Sequence, residues 1–370
     1  MGRPRIVHLT TVHAPFDPRI FWKEAVSLRG AGYDVYLVAQ HTHAETVEGV
    51  QIVPLRPIEG RYRRIVLQRE AFSKARKLQA EVYHFHDPEL IPVAYALKRT
   101  TGARIVYDVH EDYRGHGPVE GRLLSSLERW CFAWVDHVVL AEQSYEARVP
   151  ARVPHTVVLN FFRPFRQQAP GKKRRDPSSY SLLNAGVLGR DRGLDTLLDV
   201  AAKAQAQSLP WRLTLAGICN LARDRQAIEQ RIQREDLGQI VQRIGWDTYV
   251  PWHAMEPHYV ASDVGLALFA ARPNYVASVP TKFYEYLYYG LPILCSDFSL
   301  WRRFVERHGC GAVVSPGDAA QAYAVLKQWY EQPALYEKLS AAAAQAASRY
   351  LWKSMEGRLL GLYEELLNRS

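Results

Sequence analysis

Short β-branched runs alternate with longer amphipathic stretches, and they do so twice over, which confines the chain to parallel α/β units. In the first half the runs are Arg5–Leu9, Asp34–Val38, Val82–Phe85, Arg104–Tyr107 and His137–Leu140. Between the first two, Phe21–Arg29 has helical spacing and stops at Gly30 and Gly32, as a crossover helix should. The rhythm breaks at Asn160-Phe161-Phe162-Arg163-Pro164-Phe165 and a polar, basic stretch ending in Asp176-Pro177-Ser178-Ser179. It restarts with Tyr180–Ala185, a helix from Leu194 through Ala204, then Arg212–Gly217, Val264–Leu268 and Leu291–Cys295. The last stretch, Trp352–Leu367, reads as an amphipathic helix packed on the body and bridging both halves. The expected domains are 1–165 and 180–348, with a linker over 166–179 and a terminal helix over 349–370 that packs back toward the first domain.

At 370 residues two cores are the natural division. No run approaches the roughly 18 apolar residues that span a bilayer. Residues 1–9 carry too short an apolar segment for a secretory leader and read as a first strand. Cys131, Cys219, Cys295 and Cys310 are far apart and form no C-x-x-C pair, so neither zinc nor a disulfide framework is expected from them, and a reducing cytoplasm fits. Forty-seven Lys and Arg against 38 Asp and Glu leave a net charge of +9, which favours anionic neighbours such as diphosphates or anionic lipid. Nucleic acid is not expected, because no recognised binding module surrounds the basic clusters.

The segment from Pro280 to Asp297 concentrates the chemistry. Pro280 or Thr281 can open a helix whose free N–H groups and positive dipole end attract phosphate, with Lys282 beside them. Glu285 follows one turn later, where a carboxylate can accept from a ribose diol. A helix that merely solvates its own surface with Lys282 and Glu285 is the alternative. In open parallel sheets ligands sit beyond the carboxyl ends of strands. The polar loops at such ends are Thr10–Arg19, His84–Glu89, Asp108–Arg114 and Gly186–Gly193.

Taken together, Phe-Asp-Pro-Arg-Ile-Phe, His-x-His-Asp, Tyr-Asp-Val-His-Glu, Arg-Gly-Leu and Lys-Phe-Tyr-Glu-Tyr, in order over nearly the whole chain, resemble the GT-B glycosyltransferases, specifically glycosyltransferase family 4. The resemblance implies two Rossmann-like domains facing a central cleft, a nucleotide-sugar donor held mainly by the second, and a glycan or lipid-linked acceptor held by the first. It implies a retaining transfer, with the leaving phosphate itself taking the acceptor's proton. The donor, a UDP- or GDP-sugar, is a substrate, and no cofactor is implied.

Residue by residue, the resemblance assigns Arg192 and Lys282 to the donor diphosphate and His110 to the cleft near the sugar or acceptor. Cations held on a departing diphosphate act on the transition state, so no metal is expected. Glu285 matches the acid that holds the ribose, with Thr281 and Gly186 lining the same site. The first acid of the E-x7-E pattern is replaced by Ala277, leaving Asn274, Tyr275 or Ser278 to meet the sugar. Trp246 falls near the expected nucleobase. His13, Asp17 and Arg19 of the first loop contact substrate, or Asp17 and Arg19 pair to brace it. His86 and Asp87 brace His110 or meet acceptor, and Glu111 flanks it. Leu123, Leu124, Leu127, Trp130 and Trp134 lie at helical spacing and read first as core, second as a face touching anionic membrane. A role in envelope polysaccharide assembly at the inner side of the cytoplasmic membrane follows from the resemblance. An epimerase of the same plan and an idle sugar-nucleotide-binding scaffold are the alternatives.

Overall fold

The computed structural model describes residues 3–58, 63–110, 118–164 and 178–368. The chain divides into two compact units, Met1–Arg163 with Trp352–Ser370, and Pro164–Leu351. Apart from residues 178 and 179, the linker expected over 166–179 lies outside the described residues.

The first unit is built on an eight-stranded sheet of β1 (Arg5–Leu9), β2 (Asp34–Gln40), β3 (Glu45–Val47), β4 (Val50–Leu55), β5 (Val82–Phe85), β6 (Arg104–Val109), β7 (His137–Leu140) and β8 (His155–Val157), in the order β3-β4-β2-β1-β5-β6-β7-β8. Every neighbouring pair is parallel except β3 with β4. All four residues of β5 and of β7 are buried, as strands covered by helices on both faces must be. Val7, Tyr83, Phe85, Leu97, Ile105, Tyr107 and Leu140 belong to one core cluster. Each such side chain contributes about 1.5–3 kcal/mol by leaving water.

The terminal helix Trp352–Asn368 joins this unit through a stripe of Trp352, Met355, Leu359, Leu362, Tyr363 and Leu366. Leu360 and Leu367, expected on that stripe, are only half-buried, and Leu362 takes the central place. Two polar contacts fix the helix: the Trp352 indole donates to Ser27 Oγ at 2.9 Å, and the Tyr363 hydroxyl meets His84 Nδ1 at 2.8 Å.

The second unit carries a six-stranded sheet of β9 (Tyr180–Ala185), β10 (Trp211–Ile218), β11 (Val241–Trp246), β12 (Val264–Ala267), β13 (Ile293–Ser296) and β14 (Gly311–Val314), all parallel, in the order β11-β10-β9-β12-β13-β14. The order reverses at β9, so the loops after β9 and β12 open beside each other at a topological switch point. The expected fold of two mainly parallel α/β domains is borne out. Among the described residues no helix is long and apolar enough to cross a membrane.

The helix Pro118–Cys131 and the turn after it meet their expected core role only in part: Leu127 and Trp134 pack against the core cluster. Leu123 and Trp130 are exposed, 68% and 42%, and Leu124 and Leu127 are half-buried. Trp130 meets Tyr95 with tilted rings at 4.8 Å, and Trp134 meets it edge-on at 5.2 Å.

Candidate functional site

In the second unit, β9 runs into Gly186 at φ +96° and the chain reaches a single turn, Arg190–Arg192, before the helix Leu194–Ala206. Gly193 starts that helix at φ +88°, and a Cβ there would stand 2.0 Å from the Leu268 carbonyl oxygen, so only glycine fits. This close approach sets Arg192 against the end of β12. Its guanidinium lies 5.4 Å from the Phe269 ring centre and 5.2 Å from that of Tyr275.

The helix Thr281–Tyr288 begins after Pro280, and no side chain caps its first N–H groups. Lys282, on its first turn, is buried; Nζ donates to Asn184 Oδ1 at 3.0 Å and sits 5.0 Å from the same Phe269 ring. Burial, and then the Arg192 charge, lower Lys282 to about 7, while Glu285 works weakly the other way. Two basic side chains thus rest on one aromatic ring, and among the described residues neither has a carboxylate within ion-pair distance. The arrangement is charge-deficient in a way that a diphosphate would correct. Glu285 is half-buried and accepts the Tyr259 hydroxyl, whose acidity is suppressed by burial and by that carboxylate.

In the first unit a second polar cluster forms at the carboxyl ends of β1, β5 and β6. Asp17 caps the helix Pro18–Ala25, accepting from the N–H groups of Arg19 and Ile20 at 2.8 and 2.9 Å. Arg19 turns inward and grips Asp108 through both carboxylate oxygens, at 3.0 and 2.7 Å. Burial is the largest single effect and opposes ionisation of Asp108, but Arg19, His110 and His86 together outweigh it and hold the carboxyl well below its ordinary value. The same carboxylate accepts from His86 Nδ1 and His110 Nδ1, each at 3.1 Å. Burial works against a charge on His110, yet Asp108 raises it to about 9, so the ring is an imidazolium at neutral pH. Its Nε2–H then donates to His13 Nε2 at 2.9 Å. Asp87, buried, is held by the Thr11 backbone N–H at 2.5 Å and by the Thr10 and Thr11 hydroxyls.

The model of the family "Glycosyl transferases group 1" matches residues 165–346, and that of "Glycosyltransferase Family 4" matches residues 19–160. The chain is a GT-B glycosyltransferase resembling family 4. Among solved structures, sucrose-phosphate synthase from Thermosynechococcus elongatus superposes with a TM-score of 0.75 at 17% identity, with 100% of each chain covered. HepE from Anabaena, in complex with UDP and glucose, gives 0.73 at 13% identity, covering 97% of this chain and 99% of that one. WaaG, a glycosyltransferase involved in lipopolysaccharide biosynthesis, gives 0.70 at 13%, covering 95% and 97%. No curated protein matches the chain in sequence.

Within this glycosyltransferase the structure gathers Gly186, Arg192, Thr281, Lys282 and Glu285 around one strand-end edge of the second unit, and His13, Asp17, Arg19, Asp87 and His110 around one edge of the first. Glu111 lies outside the described residues. Arg19 and Asp17 are not paired through their side chains: Asp17 is spent on the helix start and Arg19 on Asp108 and Glu24. Trp246 is 8% exposed at φ +56°, with its indole N–H donating to Glu229 at 2.6 Å, which makes it a brace of its loop. Of the residues around Ala277, Tyr275 donates to Asp191 at 3.0 Å and Ser278 to the Asn274 carbonyl at 3.1 Å, while Asn274 is exposed.

Sequence reasoning passed over Asn184, Phe269 and Tyr259, the side chains that hold Lys282, Arg192 and Glu285. Asn184 carried a usable signal: an amide between Leu183 and Ala185 near the end of β9, fully buried. Phe269 and Tyr259 carried none, since an aromatic residue at a strand or helix end is ordinary core material.

Proposed function

We propose that the glycosyltransferase moves a sugar from a nucleoside diphosphate sugar to a hydroxyl of a glycan or lipid-linked acceptor, with retention of configuration and without a catalytic metal. The observation that carries this reading is the pair of basic residues, Lys282 and Arg192, both resting on the Phe269 ring beside an uncapped helix start. Bond cleavage throws negative charge onto the departing diphosphate, and cations already in place stabilise that charge without reorganising. Glu285, steadied by Tyr259, accepts from the ribose hydroxyls with its remaining lone pairs. His110, charged through Asp108, donates to a sugar or acceptor oxygen in place of its bond to His13. Asn274 meets the sugar where Ala277 leaves no carboxylate. Turnover without added magnesium or manganese tests metal independence, and the anomeric configuration of the product tests retention.

The complex of HepE with UDP and glucose supports a UDP-sugar donor here, and the involvement of WaaG in lipopolysaccharide biosynthesis supports an envelope acceptor. Calorimetric titration with UDP, GDP and ADP is the direct test, and failure of all three to bind removes the reading. Its pH dependence is specific. Lys282 without ligand titrates at about 7, and a bound diphosphate restores its charge. Binding above that pH therefore takes up a proton. The dissociation constant should rise as pH climbs above 7, by up to about tenfold per unit. A constant affinity between pH 7 and 9 would show that Lys282 does not face the phosphates.

The exposed Leu123 and Trp130, on a helix that also carries Arg122 and Arg129, support contact with an anionic membrane surface at the acceptor-binding unit. Flotation with anionic liposomes at low salt should carry the protein upward, and Trp130→Ser should weaken this. Protein left at the bottom of the gradient rejects the contact.

A further inference from the structure

Beyond the strand-end clusters, three metal-type side chains converge where β2 turns into β3. We propose that His41, His43 and Glu45 form a binding site for a divalent transition ion of the zinc class. His41 Nε2 lies 2.6 Å and His43 Nε2 3.7 Å from the same oxygen, Glu45 Oε1. The two imidazole centres are 4.8 Å apart with the rings tilted by 37°. The donor atoms of all three lie within 4.8 Å of one another.

Bends at Thr42 and His43 reverse the chain between β2, parallel to β4, and β3, antiparallel to it, and this reversal brings the three side chains together. The backbone fixes two of the three positions in advance. His41 N–H donates to the Leu55 carbonyl at 3.0 Å, and Glu45 is paired with Ile52, so both ligands are tied to β4. His43, with its side chain 64% exposed, is free to adjust. Around a tetrahedral ion with bonds of about 2.0–2.2 Å the ligand atoms stand about 3.3–3.6 Å apart, so His41 and Glu45 must open by under about 1 Å to admit it, while the His43–Glu45 distance of 3.7 Å already fits.

The chemistry of the donors also fits. Two imidazoles and one carboxylate suit zinc better than magnesium or calcium, and three protein ligands leave a fourth position for water. The Thr42 hydroxyl stands 2.9 Å from His43 Nδ1. By accepting from that N–H it leaves the Nε2 lone pair facing Glu45, an arrangement that a cation between them turns from repulsive to attractive. The buried group His8, Glu24, His84 and His86 is a poorer candidate, because it is closed to solvent and Glu24 is engaged by Arg19 at 3.1 Å. The site also touches the loop that carries His13. The Phe16 ring meets His41 edge-on at 5.7 Å, and Gln40 Nε2 donates to the Thr11 carbonyl at 2.6 Å.

Calorimetric titration of the untagged full chain with zinc chloride, checked by cobalt(II) absorption in the visible, should show one ion per chain. His43→Ala and Glu45→Gln should each weaken binding by at least about tenfold and leave the melting curve of the metal-free protein unchanged. Absence of saturable binding, or binding of equal strength in both variants, would overturn the proposal.

Discussion

Arg192→Ala is expected to lower kcat by about a hundred- to a thousandfold, the range seen when one preorganised donor is removed from a developing anion, while the second unit keeps its fold. The side chain is half-buried, rests on Phe269 and Tyr275, and has no ion pair among the described residues, so its loss opens no buried charge. The close packing that shapes this turn belongs to Gly193, whose Cα stays where it is. The variant also relieves Lys282, since Arg192 is second only to burial among the effects that discharge it. Lys282 should therefore hold its proton to higher pH in the variant and recover part of the ground-state affinity. The expected signature is a fall in kcat that exceeds the loss in nucleotide binding, with Arg192→Lys in between because a point charge keeps the attraction but not the planar fork. Turnover near that of the unaltered enzyme, in a folded variant, would remove Arg192 from the site.

The parts of this architecture visible in the sequence are those written in short-range pattern. The strands β1, β5, β6 and β7 are short runs rich in β-branched and aromatic residues because both of their faces are covered. The edge strands β3 and β8, three residues each, leave no such run and were invisible. The strand-end loops holding Arg192 and His110 and the helix start at Lys282 with Glu285 one turn on could be picked out as polar places that packing does not require, while the roles of Arg192 and His110 came from the family resemblance. What sets their chemistry was hidden in long-range contacts. Asp17 and Arg19 stand two apart in sequence and invite pairing, yet the partner of Arg19 is Asp108, 89 positions away. Tyr259 reaches Glu285 across 26 positions. Composition and spacing carry no term for such meetings, and only the register of the sheet supplies it.

Asp108→Asn should destabilise the first unit by about 3 kcal/mol, the lower part of the range for breaking a buried ion pair. Arg19 is 4% exposed and would keep its charge, with an amide where the carboxylate was. The loss stays near the lower bound because Glu24 can take over. Burial first, and Asp108 second, raise Glu24 to about 8 in the native protein. Without Asp108 it ionises more readily and faces Arg19 at 3.1 Å. Adding Glu24→Gln should therefore cost more in the Asp108→Asn background than in the native one. The pH profile separates this account from simple loss of packing. His110 is raised from 6.5 to about 9, so its contribution is complete below 6.5 and is lost as pH rises through 9. Glu24, raised from 4.5 to about 8, likewise binds more protons folded than unfolded, and its contribution fades as pH rises through 8. The stability of the first unit, followed at its own NMR resonances during urea denaturation so that Lys282 of the second unit does not enter, should thus decline from pH 6.5 to 9, and Asp108→Asn should flatten the decline while His110 titrates at lower pH. A loss below about 1 kcal/mol, the range of an exposed pair, with the pH slope unchanged, would mean that Asp108 holds neither Arg19 nor the charge on His110.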